Sequence, residues 1–430
     1  MPTSKSATTP GDLTQEQRSR AKKAVAAASI GNALEWYDIM IYGYFAAVIS
    51  KLFFPSESEF VGLLLTFGTF AISYLIRPIG AMVIGNIGDR RGRKTALNLT
   101  IQIMFVGTLL LTFAPTHSHI GPAAAVLVLI ARLLQGFSAG GEFGSATTFL
   151  TESAVGRKAY YASWQTATQG GSLLLAATVS FILTATLATT QLDSWGWRVA
   201  FGVGLMIGPV GLYIRARIDD TPEFADAEIL KSPLRTTLGK NLSRVLTAAG
   251  CVGAATITMY LLLYMPTFAI RNLGLPTYSG YIGGIIGGLT VLVCSPQIGK
   301  LADRFGCVTV MRPAAVVGML GGAPLFWLLQ QAPTVAALTL VQAVLGVILA
   351  FYFAPLPALM SYLFPTAIRT TGISVAYNIG VLLFGGTAPV VFAALVEFTG
   401  SLVSPSYFYI AVCGASVIAL ELARRRFAQN

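Results

Sequence analysis

Two short charged segments, half a chain apart, constrain this sequence more than anything else in it. The first reads Gly85-Asn86-Ile87-Gly88-Asp89-Arg90-Arg91-Gly92-Arg93-Lys94, and the second Gly299-Lys300-Leu301-Ala302-Asp303-Arg304-Phe305-Gly306. Each is a charged, Gly-rich turn between two long apolar runs. One such turn is ordinary. The same turn at matching places in two halves implies a duplicated membrane protein. Gly lets helices approach closely, Asp accepts hydrogen bonds from a neighbouring helix end, and the Arg cluster belongs on the cytoplasmic side. A loop that merely sets topology does not require the G-x-x-x-D-R-x-G core to recur.

Hydrophobic residues make up 54% of the 430 positions and charged residues only 11%, about half the charged fraction of a soluble domain. The bilayer is therefore the solvent. At about 20 residues per span the chain holds roughly twelve helices with short connections. The apolar runs are too long for strands and lack the alternation of a barrel. The net charge of +11 does not indicate nucleic acid, because the charges sit between apolar spans. Cys251, Cys294, Cys307 and Cys413 are scattered without a paired spacing, so they read as small buried hydrophobes. His117 and His119 share one loop and cannot make a metal site alone. No metal and no cofactor are expected, and there is no nucleophile–base pair or Walker loop to support an enzyme. The polar first residues lack the apolar core of a cleaved signal.

The spans fall near 24–50, 60–87, 95–114, 121–149, 159–188 and 196–215, then 244–270, 278–300, 308–330, 334–362, 368–396 and 404–423. This gives a tail (1–23), a six-helix bundle (24–215), a mixed-charge mobile linker (216–243), a second bundle (244–423) and a short tail (424–430). Outside the spans, every Lys and Arg except Lys51, Arg198 and Arg271 falls in the tails or in alternate connections. That asymmetry puts both termini and the linker in the cytoplasm. Arg215 and Arg369 are counted with those cytoplasmic residues.

Glu35 and Asp38 lie inside the first span, and Arg77 and Arg132 inside the second and fourth. In hydrocarbon they must face a cavity or one another. Asn32, Glu35, Asp38 and Tyr42 share one helical face, as do Arg132, Gln135, Ala139 and Glu142. At about 1.5 Å per residue, Arg132 lies roughly 16 Å from the outer side and Asp38 roughly 21 Å from the inner. In a core of about 30 Å they come to the same depth. A buried pair is weak evidence for stability alone, so a proton site is the fuller reading. A carboxylate held by Arg stays ionised, and it takes a proton more easily once a substrate anion claims the Arg. Gln165 and Gln169 (i, i+4), Tyr260 and Tyr264 (i, i+4), and Tyr377 with Asn378 either line the cavity or pack helices together. Arg77, read toward the cytoplasmic end of its span, either meets departing substrate or snorkels. Glu142 is either a proton exit or a partner for the loop's Arg cluster.

These residues resemble a family. Segment 85–94 resembles the loop motif between spans two and three of the major facilitator superfamily, and 299–306 its degenerate partner between spans eight and nine. The second departs from the pattern at Cys307, where a basic residue is usual. Arg132-Leu133-Leu134-Gln135-Gly136-Phe137-Ser138-Ala139-Gly140 resembles the span-four motif whose Arg is tied to proton coupling. Gly31-Asn32-Ala33-Leu34-Glu35-Trp36-Tyr37-Asp38, Arg77-Pro78-Ile79-Gly80, Gly141-Glu142-Phe143-Gly144, Trp195-Gly196-Trp197-Arg198 and Phe384-Gly385-Gly386-Thr387-Ala388-Pro389 are similar to the metabolite:proton symporter family, and 53–60 with Leu65-Thr66-Phe67 to its citrate-type branch.

The resemblance implies an all-α membrane protein of twelve transmembrane helices in two pseudo-symmetric six-helix bundles. It implies proton-coupled import of a small organic anion, such as a di- or tricarboxylate, by alternating access. Asp38, Glu35 and Glu142 are the proton-coupling candidates. Arg132, Gln135, Tyr42, Gln165, Gln169, Tyr260, Tyr264, Asn378 and Arg77 are the substrate candidates. Gly85, Asp89, Arg90, Arg93, Asp303 and Arg304 are the gating candidates. The expected partners are the anion, protons and lipid, with the chain a monomer in a bacterial-type inner membrane. Two alternatives remain: a betaine- or proline-type zwitterion symporter, and a receptor with a transporter fold. The short end after Arg426 speaks against osmosensing, and the lack of a large signalling domain against a receptor.

Overall fold

The computed structural model describes residues 15–56, 59–154, 156–217, 230 and 232–427. Most of the first tail, residues 428–430, Glu57 and Ser58 lie outside the described residues. So does the acidic part of the linker, with Asp219, Asp220, Glu223, Asp226 and Glu228. The described residues run through twelve long helices: α1 Gln15–Tyr44, α2 Glu59–Arg91, α3 Arg93–Thr112, α4 Ala123–Ser153, α5 Lys158–Thr186, α6 Trp197–Ala216, α7 Leu242–Arg271, α8 Thr277–Phe305, α9 Cys307–Gln331, α10 Val335–Phe353, α11 Arg369–Phe384 and α12 Pro405–Arg426. Two of them break and resume. Ala354-Pro355 separates α10 from Leu356–Leu363, and Gly385-Gly386-Thr387 separates α11 from Ala388–Thr399. Proline lacks the N–H that a continuing helix needs.

Eleven of the described helical segments are long and apolar enough to cross a membrane. The first helix is not among them, because Asn32, Glu35 and Asp38 lower its apolar content. Those residues survive because the bundle buries them, at 1%, 5% and 1% exposure. The linker is not wholly the mobile segment expected, since Pro233–Lys240 forms a helix with Thr237 buried.

The duplicated segments are not loops. α2 stays helical to Arg91 and α8 to Phe305, and each turns on a single glycine, Gly92 (φ 103°) or Gly306 (φ 89°). Side chains with a Cβ rarely take that backbone, which is why glycine stands at both corners. The corner places Asp89 and Asp303 in the last turn of a helix, aimed at helix ends of the opposite half.

The halves meet where α5 packs against α8 and where α11 packs against α2 and α4. Within the first half, α4 lies on α2 through small residues. A Cβ at Gly136 would collide with the Ser73 carbonyl, and one at Gly140 with that of Arg77. Without a hydrophobic drive between helices in lipid, such close approach supplies the packing. Gly136→Leu should therefore lower stability by about 1–3 kcal/mol through overpacking, read as a lower Tm of the purified protein. Gly202→Ala, with nothing within 4 Å of the added Cβ, should leave Tm unchanged or raise it.

Candidate functional site

The site is built on one face of α1. Arg132 of α4 donates from Nη1 to Asp38 Oδ2 at 2.8 Å, and Thr108 of α3 donates to Asp38 Oδ1 at 3.3 Å. Gln135 Nε2 donates to Thr108 Oγ1 at 3.2 Å. The Arg132 guanidinium lies 3.7 Å from the centroid of the Tyr42 ring, and the Tyr42 hydroxyl meets Thr69 Oγ1 at 2.7 Å. Yet Arg132 Nε and Nη2 are buried without a hydrogen-bond partner. Asp38 thus engages one corner of the guanidinium and leaves the other donors open.

One turn lower, Arg77 Nη2 stands 3.6 Å from Glu35 Oε1, longer than a hydrogen bond. Its guanidinium lies 4.2 Å from the Tyr74 ring centroid, and its Nε and Nη1 are also buried and unpartnered. At 3% exposure in the middle of α2, Arg77 does not snorkel and does not sit near the cytoplasmic end. The sequence reading put it too low because it ended span two at residue 87, where the helix runs on to Arg91.

The second half closes over these pairs with uncharged groups. Tyr260 of α7 donates its hydroxyl hydrogen to the Tyr74 hydroxyl. Tyr377 of α11 stacks on Phe143 of α4, with centroids 3.5 Å apart and planes within 3°. Asn378 donates to the Gly140 carbonyl at 2.7 Å and leaves Oδ1 unpartnered. Gln169 is fully buried with both amide atoms unpartnered.

Other candidates lie elsewhere. Gln165 accepts from Thr147 at 2.8 Å, and its backbone carbonyl accepts from Asn32 at 2.8 Å, so it ties α1, α4 and α5 together. Tyr264 packs against Phe268 and Phe392 in the second half's own core. Glu142 does not meet the loop's Arg cluster. It is gripped by Arg215 of α6, a residue counted above as cytoplasmic but fully buried.

At the end of the bundle where α2 turns into α3, Asp89 accepts from the backbone N–H of Thr370 and Thr371 at 3.1 and 2.8 Å, at the start of α11. It also accepts from Arg93 at 2.7 Å. Arg93 reaches Glu152, and so does Arg369, at 2.9 Å. In the other half, Asp303 accepts from the N–H of Ala159 and Tyr160 at 2.8 and 2.9 Å, at the start of α5. Each carboxylate caps the positive end of a helix from the opposite half. Gly85 brings α2 against Thr371 of α11. Arg90 and Arg304 are exposed and stand outside these clamps. The clamps fasten the two halves together at this end, and the second lacks a counterpart of Arg93 because Cys307 occupies that corner.

Sequence reasoning missed Glu152, Arg215, Arg369 and Tyr74. The three charged residues lie within a few positions of span ends, where a solvated loop is the default. Tyr74 shares a helix face with Arg77 at i, i+3, a usable signal.

The family model of the Major Facilitator Superfamily matches residues 28–389. A citrate-proton symporter of Klebsiella pneumoniae is 34% identical over 416 residues, covering 93% of this chain and 94% of that protein. A proline/betaine transporter of Escherichia coli (strain K12) is 32% identical, covering 95% and 84%. An alpha-ketoglutarate permease of the same strain is 32% identical, covering 89% of each. Among solved structures, the proton:xylose symporter XylE bound to 6-bromo-6-deoxy-D-glucose superposes with a TM-score of 0.75 at 17% identity, over 95% of this chain and 96% of that one.

Losing the Asp89 charge weakens three bonds that hold α2 to α11 and α3. Asp89→Asn should shift the balance toward a form open at this end by about fivefold to more than a hundredfold, for about 1–3 kcal/mol lost. Spin-label distances between the cytoplasmic ends of α2 and α11 report it. Asp303→Asn should shift the α5–α8 distance less, and equal shifts would contradict the asymmetry.

Proposed function

The chain belongs to the Major Facilitator Superfamily and is an integral, multi-pass membrane transporter, not an enzyme; on that premise we propose that it is a proton-coupled symporter importing a small carboxylate by alternating access. The observation that carries this reading is the Asp38–Arg132 pair, buried and joined by one hydrogen bond, with two guanidinium nitrogens left open. A planar guanidinium binds a carboxylate through two parallel bonds. An incoming anion that takes Arg132 releases Asp38, which then holds a proton instead of a cation. Substrate and proton thereby become bound together.

Arg77 gives a second open guanidinium one turn away, beside Glu35, so a dicarboxylate finds two docking points. Inward movement of an anion opposes a negative interior at about 2.3 kcal/mol per charge per 100 mV. Two carboxylates, Asp38 and Glu35, offer two proton sites, enough to carry a doubly charged anion without net charge. Gln135, Asn378 and Gln169 supply polar contacts to its body. The proton gradient is the sole driving force in this scheme, and the chain works as a monomer with both termini in the cytoplasm of a bacterial cell.

A second reading has its own observation. The Arg77 guanidinium lies against the Tyr74 ring, with Tyr260 edge-on to Tyr74 and with Tyr377, stacked on Phe143, nearby, and aromatic faces also attract quaternary ammonium groups. A zwitterion such as a betaine would place its carboxylate on an arginine and its cation against these rings. Relatives named for citrate and for proline/betaine bear equally on the two readings.

Uptake into proteoliposomes of labelled citrate, tricarballylate, 2-oxoglutarate, shikimate and betaine, with and without an imposed acid exterior, decides between them. Accumulation of an anion only with the gradient is expected, and gradient-driven betaine uptake alone would favour the zwitterion. Arg132→Lys should lose most binding because Lys cannot copy the two-bond geometry. Full affinity in that variant would overturn its role. Asp38→Asn should bind and exchange substrate yet fail to accumulate it, and acid-driven accumulation in that variant would move the proton elsewhere.

A further inference from the structure

The face of α1 that carries Glu35 and Asp38 continues downward to Gly31. Gly31, Glu35, Asp38 and Tyr42 stand at i, i+4, i+7 and i+11, and each meets a charged group from another helix. At Gly31 that group is the Glu142–Arg215 pair, so close that a Cβ there would collide with both side chains. At Glu35 it is Arg77, and at Asp38 and Tyr42 it is Arg132. The three rungs follow at about 6 and 5 Å along the helix axis. Among the described residues the second half buries one charged side chain, Arg369, at its cytoplasmic end. Among the described residues, a row of buried charged groups therefore runs through the first half alone.

The rungs differ in how completely they are paired. Arg215 donates to both oxygens of Glu142, to the Ala27 carbonyl at 2.9 Å, to the Leu97 carbonyl and to Thr100 Oγ1 at 3.2 Å. Thr100 also donates to Glu142. The lowest rung is closed on every side, whereas the two above it keep open donors. The charged groups facing Glu142 are Arg215 from α6 and Glu35 from α1. Arg215 sits in the last turn of α6, and its carbonyl partners belong to the inner parts of α1 and α3.

We infer that Glu142 is the last station of the coupled proton on its way to the cytoplasm, and that Arg215 is the positioning residue that keeps this station ionised and closed while the cytoplasmic side is shut. The inference rests on the proton-coupled reading above. When the cytoplasmic face opens, water reaches the inner end of α6 and loosens the fork. An O–H bond then breaks at Glu35, one water carries the proton across about one helical turn, and an O–H bond forms at Glu142. Glu35 recovers its charge opposite Arg77. Glu142 passes the proton to cytoplasmic water and closes again on Arg215, so charge balances at each step.

Two measurements on the full chain test this. Infrared titration of the protein in lipid nanodiscs, with no substrate present, should show a protonated-carboxyl band that is absent in Glu142→Gln and stronger in Arg215→Gln at the same pH. In proteoliposomes, the double variant Glu142→Gln/Arg215→Gln removes both charges and so leaves none buried alone. Its citrate counterflow, which needs no net proton transfer, should persist, while citrate-linked proton arrival inside falls about a hundredfold. Wild-type proton arrival in the double variant, or an unchanged carboxyl band in Glu142→Gln, would overturn the inference. If the wild type moves no protons with citrate, the citrate reading fails, and the infrared comparison still decides whether Glu142 takes a proton.

Discussion

A guanidinium and a carboxylate placed halfway through hydrocarbon must find each other, and most of this architecture follows from that requirement. An isolated charge there is costly, and removing one partner of a buried pair typically costs about 3–5 kcal/mol. Asp38, Glu35 and Glu142 therefore fix the rotation of α1 and α4, and Arg132, Arg77 and Arg215 fix that of α4, α2 and α6 against them. α1 carries too many polar groups to pass for an apolar span. It is held at the centre by the partners that its polar face demands.

The number and order of spans were legible because hydrocarbon selects long apolar runs, and most helix ends fall within a few residues of the expected places. The match in depth of Asp38 and Arg132 was legible because helical rise is fixed. What could not be read was pairing between helices whose relative height depends on where each one ends. Arg77 was placed too low for that reason. Arg215 and Arg369 were assigned to solvent because a basic residue near a span end is usually solvated, and only the fold shows that each faces a carboxylate. The charged turns were recognised, but their conformation was not: a single left-handed glycine turns the corner and leaves the aspartate on a helix.

The two aspartate clamps show how duplication and divergence coexist. Both use an aspartate to cap a helix start from the opposite half, a backbone interaction that tolerates almost any side chain on the capped helix. The first adds Arg93, Glu152 and Arg369, which depend on specific side chains. The second has Cys307 at the matching corner. The α2–α11 seam thus carries the larger side-chain network, while α5 and α8 share the more extensive packing contact.

The concentration of buried charge in one half has a consequence for how such a chain can change over generations. The first half's ionisable groups brace one another, so a substitution there disturbs several partners at once. The second half presents Tyr260, Tyr377 and Asn378, uncharged groups that can be exchanged without orphaning a charge. Variation can therefore accumulate on the second half's wall while the charge network of the first stays intact.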